Sequence, residues 1–503
     1  MNRTKLSFIS TIIVFIEAII IGALTMLRTR VIIFEFGSSV NAVLQLAISL
    51  TSYLLLFESG MSAAFQFKMY QSLGKESNSA ISKLFNGLSV SMNNIFQKMM
   101  FISIVVSVGY AFFLNKEGVT YLEACLILVI AFVRVISPYP TTIPYRTLLI
   151  TAEKKYITDI IECAKSALTI ITELILIKYT KLPLIIILSF YILYTFISKY
   201  IYKILVIEYY GNNIFDENEC DLEPVAMTKD ILIHRIAGII TSNTDSVLLS
   251  IFHTLQSVTI FTSFFTLINY PVLLITRVID SMRASVAVKF AKKDSNAQDV
   301  FYMIITLELF FILCIIPVFV LLGNDFISLW IGAEYTTTPI NIFLISIVAF
   351  HKMFIPAIYS MRDAAGLFAE TKKASIIQAF VNLIISLLLV RSLGITGILL
   401  GTVISHVGII EVVNIKVISH HVFNCERKIW LLVMKNICLC IIFIWFQNEF
   451  LNSILINNSA AVLEFIKKAV IILSVNFMMS VISMSILDKT FRQLLIQMKS
   501  LFI

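Results

Sequence analysis

The chain is short of charge. Asp, Glu, Lys and Arg make up only 14% of its 503 residues, beside 58% hydrophobic residues and a mean hydropathy of +0.92. A soluble globule carries nearer a quarter charged residues, so this composition excludes one and places the chain in lipid. Cysteine is too sparse and too irregular to build a framework. The seven (Cys125, Cys163, Cys220, Cys314, Cys425, Cys438 and Cys440) are odd in number, mostly inside apolar runs, and lack metal-ligand spacing. Cys438 and Cys440, two apart on a helix, do not face each other, and all seven read as packing residues. The sequence also has no nucleophile–base pair, no phosphate-binding loop, no metal cluster and no large outer loop carrying basic residues. These absences argue against an enzyme and leave no cofactor or metal to expect.

What is present is apolar length. Successive runs of about 17–25 residues, each long enough for roughly 30 Å of hydrocarbon, recur fourteen times. The first, Leu6 to Leu27, keeps Glu17 in its middle and has no small-residue cleavage site, so it reads as a retained span. The expected fold is an all-α polytopic membrane protein with about 14 transmembrane helices.

The net charge of +8 is a matter of placement. Basic residues crowd one set of connections, among them Lys68, Lys75, Lys83, Lys98, Arg283, Lys289, Lys292, Lys293, Arg427 and Lys428. The other set holds only Arg28, Arg30, Lys116, Lys178, Lys181 and Arg391. That bias orients both termini to the cytoplasm, and it accounts for the positive charge without nucleic acid.

The chain repeats itself. AFVRVISP at 131–138 and AFHKMFIP at 349–356 share an opening Ala-Phe, a basic fourth residue and a final proline. TAEKKYI at 151–157 and AETKKASI at 369–376 follow at similar distances, and ESGMSAAFQFK at 58–68 resembles DSMRASVAVK at 280–289. These offsets map spans 1–6 onto spans 7–12. Six crossings return the chain to the same side, so the repeat is parallel, a transporter architecture. The expected organisation is a six-helix lobe over 1–208, a cytoplasmic linker over 209–230, a second six-helix lobe over 231–417, and an appended helical hairpin with a tail over 418–503. The linker, YYGNNIFDENECDLEPVAMTKD, is rich in acidic and turn residues.

Two stretches carry a resemblance: NTDSVLLSIF at 243–252, and ASIIQAFVNLIISLLLVRSLGITGILLGTVIS at 374–405, with Asn382 in span 11 and Gly394, Gly397 and Gly401 around the next turn. With the six-plus-six-plus-two plan, the chain resembles the polysaccharide and O-antigen (oligosaccharide-lipid) flippases of the multidrug/oligosaccharidyl-lipid/polysaccharide exporter superfamily. After NTDSVLLSIF the family shows glycines and a tyrosine where this chain has HTLQSVTIF. The resemblance implies a V-shaped alternating-access carrier in the bacterial inner membrane. It would move an undecaprenyl-pyrophosphate-linked oligosaccharide outward for capsule or other surface polysaccharide, with a proton or sodium ion as candidate coupling partner and a glycan polymerase as candidate protein partner. A drug or small-solute exporter of the same superfamily is the alternative, and an integral-membrane polymerase is a more distant one.

Charges inside spans are the candidate site, because each costs about 2.5–3.5 kcal/mol at the bilayer centre. Arg134 lies twelve residues before Arg146, roughly 18 Å along a helix, and Lys352 ten before Arg362, roughly 15 Å. Repeat symmetry would put one in each lobe, facing a shared cleft and a diphosphate. The alternative is that each pairs with an acidic neighbour such as Glu17. Lys165 shares a helix face with Asp159 and Glu162, which can neutralise it. Arg235, beside His234, opens span 7, where snorkelling is the ordinary role. Asp245, Glu17 and Glu308 are the candidates for ion coupling, or else members of structural ion pairs. Pro138 and Pro356 are candidate hinges, the first reinforced by Pro140 and Pro144. His351, a lone histidine, reads as packed, and GITG and GILLG at 394–401 as close-approach glycines.

Overall fold

The computed structural model describes residues 3–55, 58, 60–73, 78–115, 118–215, 219–225, 232–291, 297–454 and 461–502, with side chains additionally outside the description at 3–14, 73, 78, 213, 232–238, 240–242, 280–291, 450–454, 461 and 497–502. Among the described residues there is no strand. The chain forms two compact units, Met1–Thr259 and Ile260–Ile503.

The helices of the first unit are α1 (Arg3–Phe36), α2 (Ser38–Leu54), α3 (Met61–Leu73), α4 (Asn78–Leu114), α5 (Tyr121–Ile136), α6 (Pro138–Thr141), α7 (Ile143–Thr151), α8 (Lys155–Tyr179), α9 (Leu184–Tyr210) and α10 (Leu232–Phe252). The next helix, α11 (Leu255–Ala291), crosses from the first unit into the second. The second continues with α12 (Ala297–Trp330), α13 (Pro339–Ala364), α14 (Phe368–Leu393), α15 (Ile395–Ser405), a π-helical turn His406–Glu411, α16 (Val412–His421), α17 (Glu426–Ile454), α18 (Ala461–Leu487) and α19 (Lys489–Phe502). Each of the fourteen apolar runs falls on helix among the described residues, and ten described helices are long and apolar enough to cross a membrane. The protein is an all-α, multi-pass membrane protein.

The surface of the helices tells what surrounds them. On α18, Phe477, Met478, Ile482 and Ile486 are exposed while Asn476 and Ser480 are buried. α8 repeats the inversion: Ile160, Leu168, Ile171 and Ile175 face outward, and Lys165, Thr169 and Glu173 are buried. A polar face turned inward is what a hydrocarbon surround requires, since nothing in lipid can hydrate it.

The proline-rich span 4 breaks into α5, α6 and α7, whereas span 10 accommodates Pro356 without interruption. At the first break, hydroxyls bond carbonyls of the preceding turn: Ser137 donates to Arg134 O at 3.2 Å and Thr141 to Ser137 O at 2.6 Å. Such local partners make a broken helix tolerable at membrane depth. Pro317, inside α12, removes the N–H that would bond Leu313 O. The amide of Asn476 on α18 donates to Leu313 O and Cys314 O, both at 2.8 Å, and accepts from Gln447 of α17 at 2.8 Å. The appended hairpin is thereby bonded to α12 at the proline break.

Close approach explains two glycine features. A Cβ on Gly397 would lie 2.5 Å from Leu389 O, and one on Gly401 would overlap Ser386 Oγ, so α14 and α15 pack almost backbone to backbone. Gly87 on α4 lies directly under the linker. A Cβ there would collide with the carbonyl of Asp221, whose own N–H bonds Lys83 O at 3.1 Å. Around this crossing Ser82 donates to Ile214 O at 2.6 Å, Phe215 packs on Phe85 and Tyr145, and Lys83 and Lys68 pair with Glu219 and Glu223 at 2.5 and 2.7 Å. The Lys83 ammonium, through its hydrogen bond, holds the Glu219 carboxyl below its ordinary value. That contact is therefore complete above the ordinary carboxylate pKa and is lost as pH falls through the lowered one. Gly87→Ala is expected to detach the linker, read as faster proteolysis within 209–230 with the helical content of the rest unchanged. Equal proteolysis of variant and parent would show that the strap is not held there.

α10 opens the second sequence repeat but packs within the first unit, against α2 and α4. Tyr53 meets Thr244 at 2.7 Å and Tyr110 bonds Ser250. Asn41 donates to Thr259 at 3.3 Å, and these two positions stand 218 apart, the repeat offset itself.

Candidate functional site

α5, α8, α9 and the C-terminal part of α1 build a charged cluster in the first unit. On α8, Glu162 and Glu173 are eleven residues apart, three turns, so they share a face with Lys165 between them. Arg134, near the end of α5, donates from Nη1 to Glu173 Oε1 at 2.7 Å. Arg28 of α1 donates to the other oxygen of the same carboxylate. Glu173 is 1% exposed, so it is a buried anion held by two guanidinium groups. Lys165, 3% exposed, pairs with Glu162 Oε2 at 2.5 Å, and Glu162 Oε1 also accepts from Tyr202 at 3.0 Å and faces Arg146 at 3.8 Å.

Tyr191 of α9 joins the two halves. The Arg134 guanidinium carbon lies 5.0 Å from its ring centroid and the Lys165 ammonium 5.3 Å. An aromatic face of this kind stabilises a cation without neutralising it. Arg28 and Arg134 thus share the one buried carboxylate of Glu173, while Lys165 and the part-exposed Arg146 flank Glu162, with Asp159 one turn away on α8; charge at this depth needs such pairing.

The other expected site residues are placed as follows. Glu17 lies on α1 near Cys163 of α8, and the carboxylate that pairs with Arg134 is Glu173, not Glu17. Asp245 is buried on α10 beside Tyr53. The side chain of Arg235 lies outside the described residues. In the second unit Lys352 bonds Asn269 at 3.1 Å and sits 4.9 Å from the centroid of Phe265. Glu308, fully buried on α12, accepts the Ala357 N–H at 2.8 Å, immediately after Pro356. A carboxylate there supplies an acceptor beside the proline of α13.

The second unit also holds a cluster that sequence pattern does not announce. Nδ1 of His351 meets Oε1 of Glu411 at 2.7 Å, both side chains buried, and the His406 ring lies 4.7 Å from that of His351. Among the described residues no group of three His, Cys, Asp or Glu side chains is arranged to hold a metal ion.

No family model and no curated protein sequence matches the chain. Solved structures do. The lipid II flippase MurJ, in an inward closed conformation, superposes with a TM-score of 0.70 at 15% identity, over 97% of this chain and 100% of MurJ. An inward-facing multidrug resistance MATE transporter of the MOP superfamily matches with a TM-score of 0.61 at 13% identity, over 82% of this chain and 96% of the transporter. The MATE transporter VcmN of Vibrio cholerae, in a mutant form, gives 0.57 at 12% identity, over 84% of this chain and 98% of VcmN. The chain has the MOP fold.

Within that MOP fold, sequence reasoning finds Arg134 and Lys165 but not what joins them. It assigns Arg28 to an outer connection because the apolar run stops at Leu27, yet α1 continues to Phe36 and carries Arg28 inside it. Glu173 and Tyr191 are legible only as members of apolar runs. A signal for Glu173 exists: it continues the Glu162, Lys165, Thr169 face of α8 at helical spacing.

Proposed function

We propose that this MOP-fold chain is a transporter, not an enzyme, and that it flips a lipid-linked oligosaccharide bearing a diphosphate across the membrane. The observation that carries this reading is the pair of guanidinium groups, Arg28 and Arg134, gathered on the single buried carboxylate of Glu173 beside Tyr191. A neutral or cationic drug has no use for two guanidinium groups gathered at one buried place. A diphosphate does: the planar forks of Arg28 and Arg134 suit bidentate contact with phosphate oxygens, and Lys165 adds a point charge. Glu173 acts as a resident counter-ion, holding the guanidinium groups in place until a phosphate competes for them. Lys352 in the second unit and Arg235 are further candidate contacts. Asp245, Glu17 and Glu308 are candidates for ion coupling, and Pro138 and Pro356 are candidate hinges for alternating access. The full proposal is an undecaprenyl-pyrophosphate-linked repeat unit moved outward across the bacterial cytoplasmic membrane, with both termini inside, for capsule or O-antigen assembly.

The test is a flipping assay in proteoliposomes with an undecaprenyl-pyrophosphate-linked oligosaccharide labelled on the sugar. Translocation should expose the label to an impermeant quencher faster than in protein-free vesicles. In cells, Cys220 of the linker should react with a permeant maleimide and be protected from an impermeant one. Export of cationic dyes with no movement of the lipid-linked sugar would replace this reading with the drug-exporter one.

A further inference from the structure

The ion-coupling residues expected from the sequence leave His351, Glu411 and His406 unused. These three share one buried site between α13 and the π-turn, and the π-turn is what assembles it. In an α-helix, positions five apart point about 140° from each other. A turn closed by i→i+5 hydrogen bonds brings such positions round to nearly the same side. His406 and Glu411 are the first and last residues of the π-turn, and both reach His351: the carboxylate at 2.7 Å and the second imidazole at 4.7 Å between ring centroids. Neither ring nitrogen of His406 has a hydrogen-bond partner, although both are buried. Buried polar nitrogens left without partners call for an explanation, because leaving them so is costly.

The charges around the site allow two states. With a neutral His351 donating to an ionised Glu411, the pair carries one negative charge. One added proton makes it neutral, as imidazolium–carboxylate or imidazole–carboxylic acid. Burial favours the neutral state. Lys352, next to His351 in the chain, favours the negative one. Among the described residues on the elements packed against α13, Tyr359 lies near Glu411 with the Arg362 guanidinium 4.3 Å from its ring centroid, and Glu308 is bonded to Ala357. Asp299 and Asp325 stand toward the two ends of α12, His420 and His421 at the end of α16, and Lys416 midway along it. Arg362, bonded to Asp363 at 2.7 Å, and Tyr359 are the polar groups of α13 on the C-terminal side of the pair. Most of the polar atoms at the site are imidazole nitrogens. They suit a proton, whereas hard cations take oxygen ligands.

We propose that His351, Glu411 and His406 form a proton-binding site of the second unit, and that its occupancy sets whether the π-turn at His406–Glu411 persists. Loss of the His351 contact would release Glu411, and an ordinary α-helical register would then carry His406 and Glu411 to different sides. Proton binding at this site stands on the geometry alone; its role in coupling rests on the transporter reading.

The experiment has two arms, both on the full chain. In lipid nanodiscs, hydrogen exchange of the 403–413 backbone and the infrared carboxyl band are followed as pH is varied. The parent should show a pH-dependent change in both, Glu411→Gln should lose the carboxyl change, and His351→Gln should lose the exchange change, while 368–393 stays protected in all three as a check of folding. A parent whose 403–413 exchange and carboxyl band do not respond to pH, or variants that respond as the parent does, would overturn the site. In the second arm the proteoliposome assay is run under an imposed pH gradient or sodium gradient. One proton per cycle permits up to about tenfold accumulation per pH unit. Both variants should keep downhill flipping and lose this stimulation. Stimulation of the parent by sodium, or unchanged pH stimulation in both variants, overturns the coupling role. A parent that moves no lipid-linked sugar overturns the lipid-linked-sugar reading alone, and the nanodisc arm still decides proton binding.

Discussion

Arg134→Ala is expected to lower diphosphate-lipid binding and flipping by about ten- to a hundredfold, because a hydrogen bond to a charged group contributes about 1.5–3 kcal/mol. The variant should fold. Removing one partner of a buried ion pair ordinarily costs about 3–5 kcal/mol through the charge left behind. Here Glu173 keeps Arg28, so the carboxylate is not abandoned. Arg134→Lys should retain part of the activity, since charge and the Tyr191 face survive while the fork does not. Glu173→Gln separates the readings further. If Glu173 is a competing counter-ion, its neutralisation frees two guanidinium groups and tightens binding of pyrophosphate-bearing lipid. If the trio merely ties helices together, it only lowers thermal stability. Normal flipping by Arg134→Ala, or a loss of flipping matched by loss of folded protein, would remove the cluster from the transport path.

The second large effect is expected at Asn476. Asn476→Leu removes three hydrogen bonds at membrane depth, worth about 0.6 kcal/mol each on average in such surroundings, so about 2 kcal/mol together. It also returns Leu313 O to hydrocarbon without a donor, next to Pro317, where no backbone N–H can take over. Thermal unfolding of the detergent-solubilised chain should shift down by roughly 4–8 °C, at about 2–4 °C per kcal/mol for a body of this size. Gln447→Leu should shift it less, because the Asn476 amide would still reach both carbonyls. Equal shifts for the two variants would mean that the side-chain pair, rather than the proline break, is what Asn476 serves.

How much of this is legible in the sequence depends on the physical range of each signal. Apolar length is local and strong, so the fourteen runs and the all-α class can be read directly. The three prolines at 138, 140 and 144 together announce a break, and the break is there, whereas the single prolines at 317 and 356 leave α12 and α13 continuous. Pairing is another matter. Arg134 and Glu173 are 39 positions apart, His351 and Glu411 60. Neither pair has any periodicity to announce it. His351 reads as a packed residue because one histidine on an apolar helix usually is one. Its partners become visible only with a π-turn that sequence pattern does not encode. Arg28 is misread for a simpler reason: a helix does not end where its hydrophobicity does.

The strap of linker over α4 changes what the membrane meets. With the cytoplasmic placement proposed for this face, Lys68 and Lys83 would each be worth about 1 kcal/mol against anionic head groups. In this structure Glu223 and Glu219 already occupy them. The linker is thus an internal counter-ion, in competition with the bilayer for the same ammonium groups. Membranes rich in acidic lipid, and low ionic strength, push that competition toward the bilayer; neutral lipid leaves the lysines with the chain's own carboxylates.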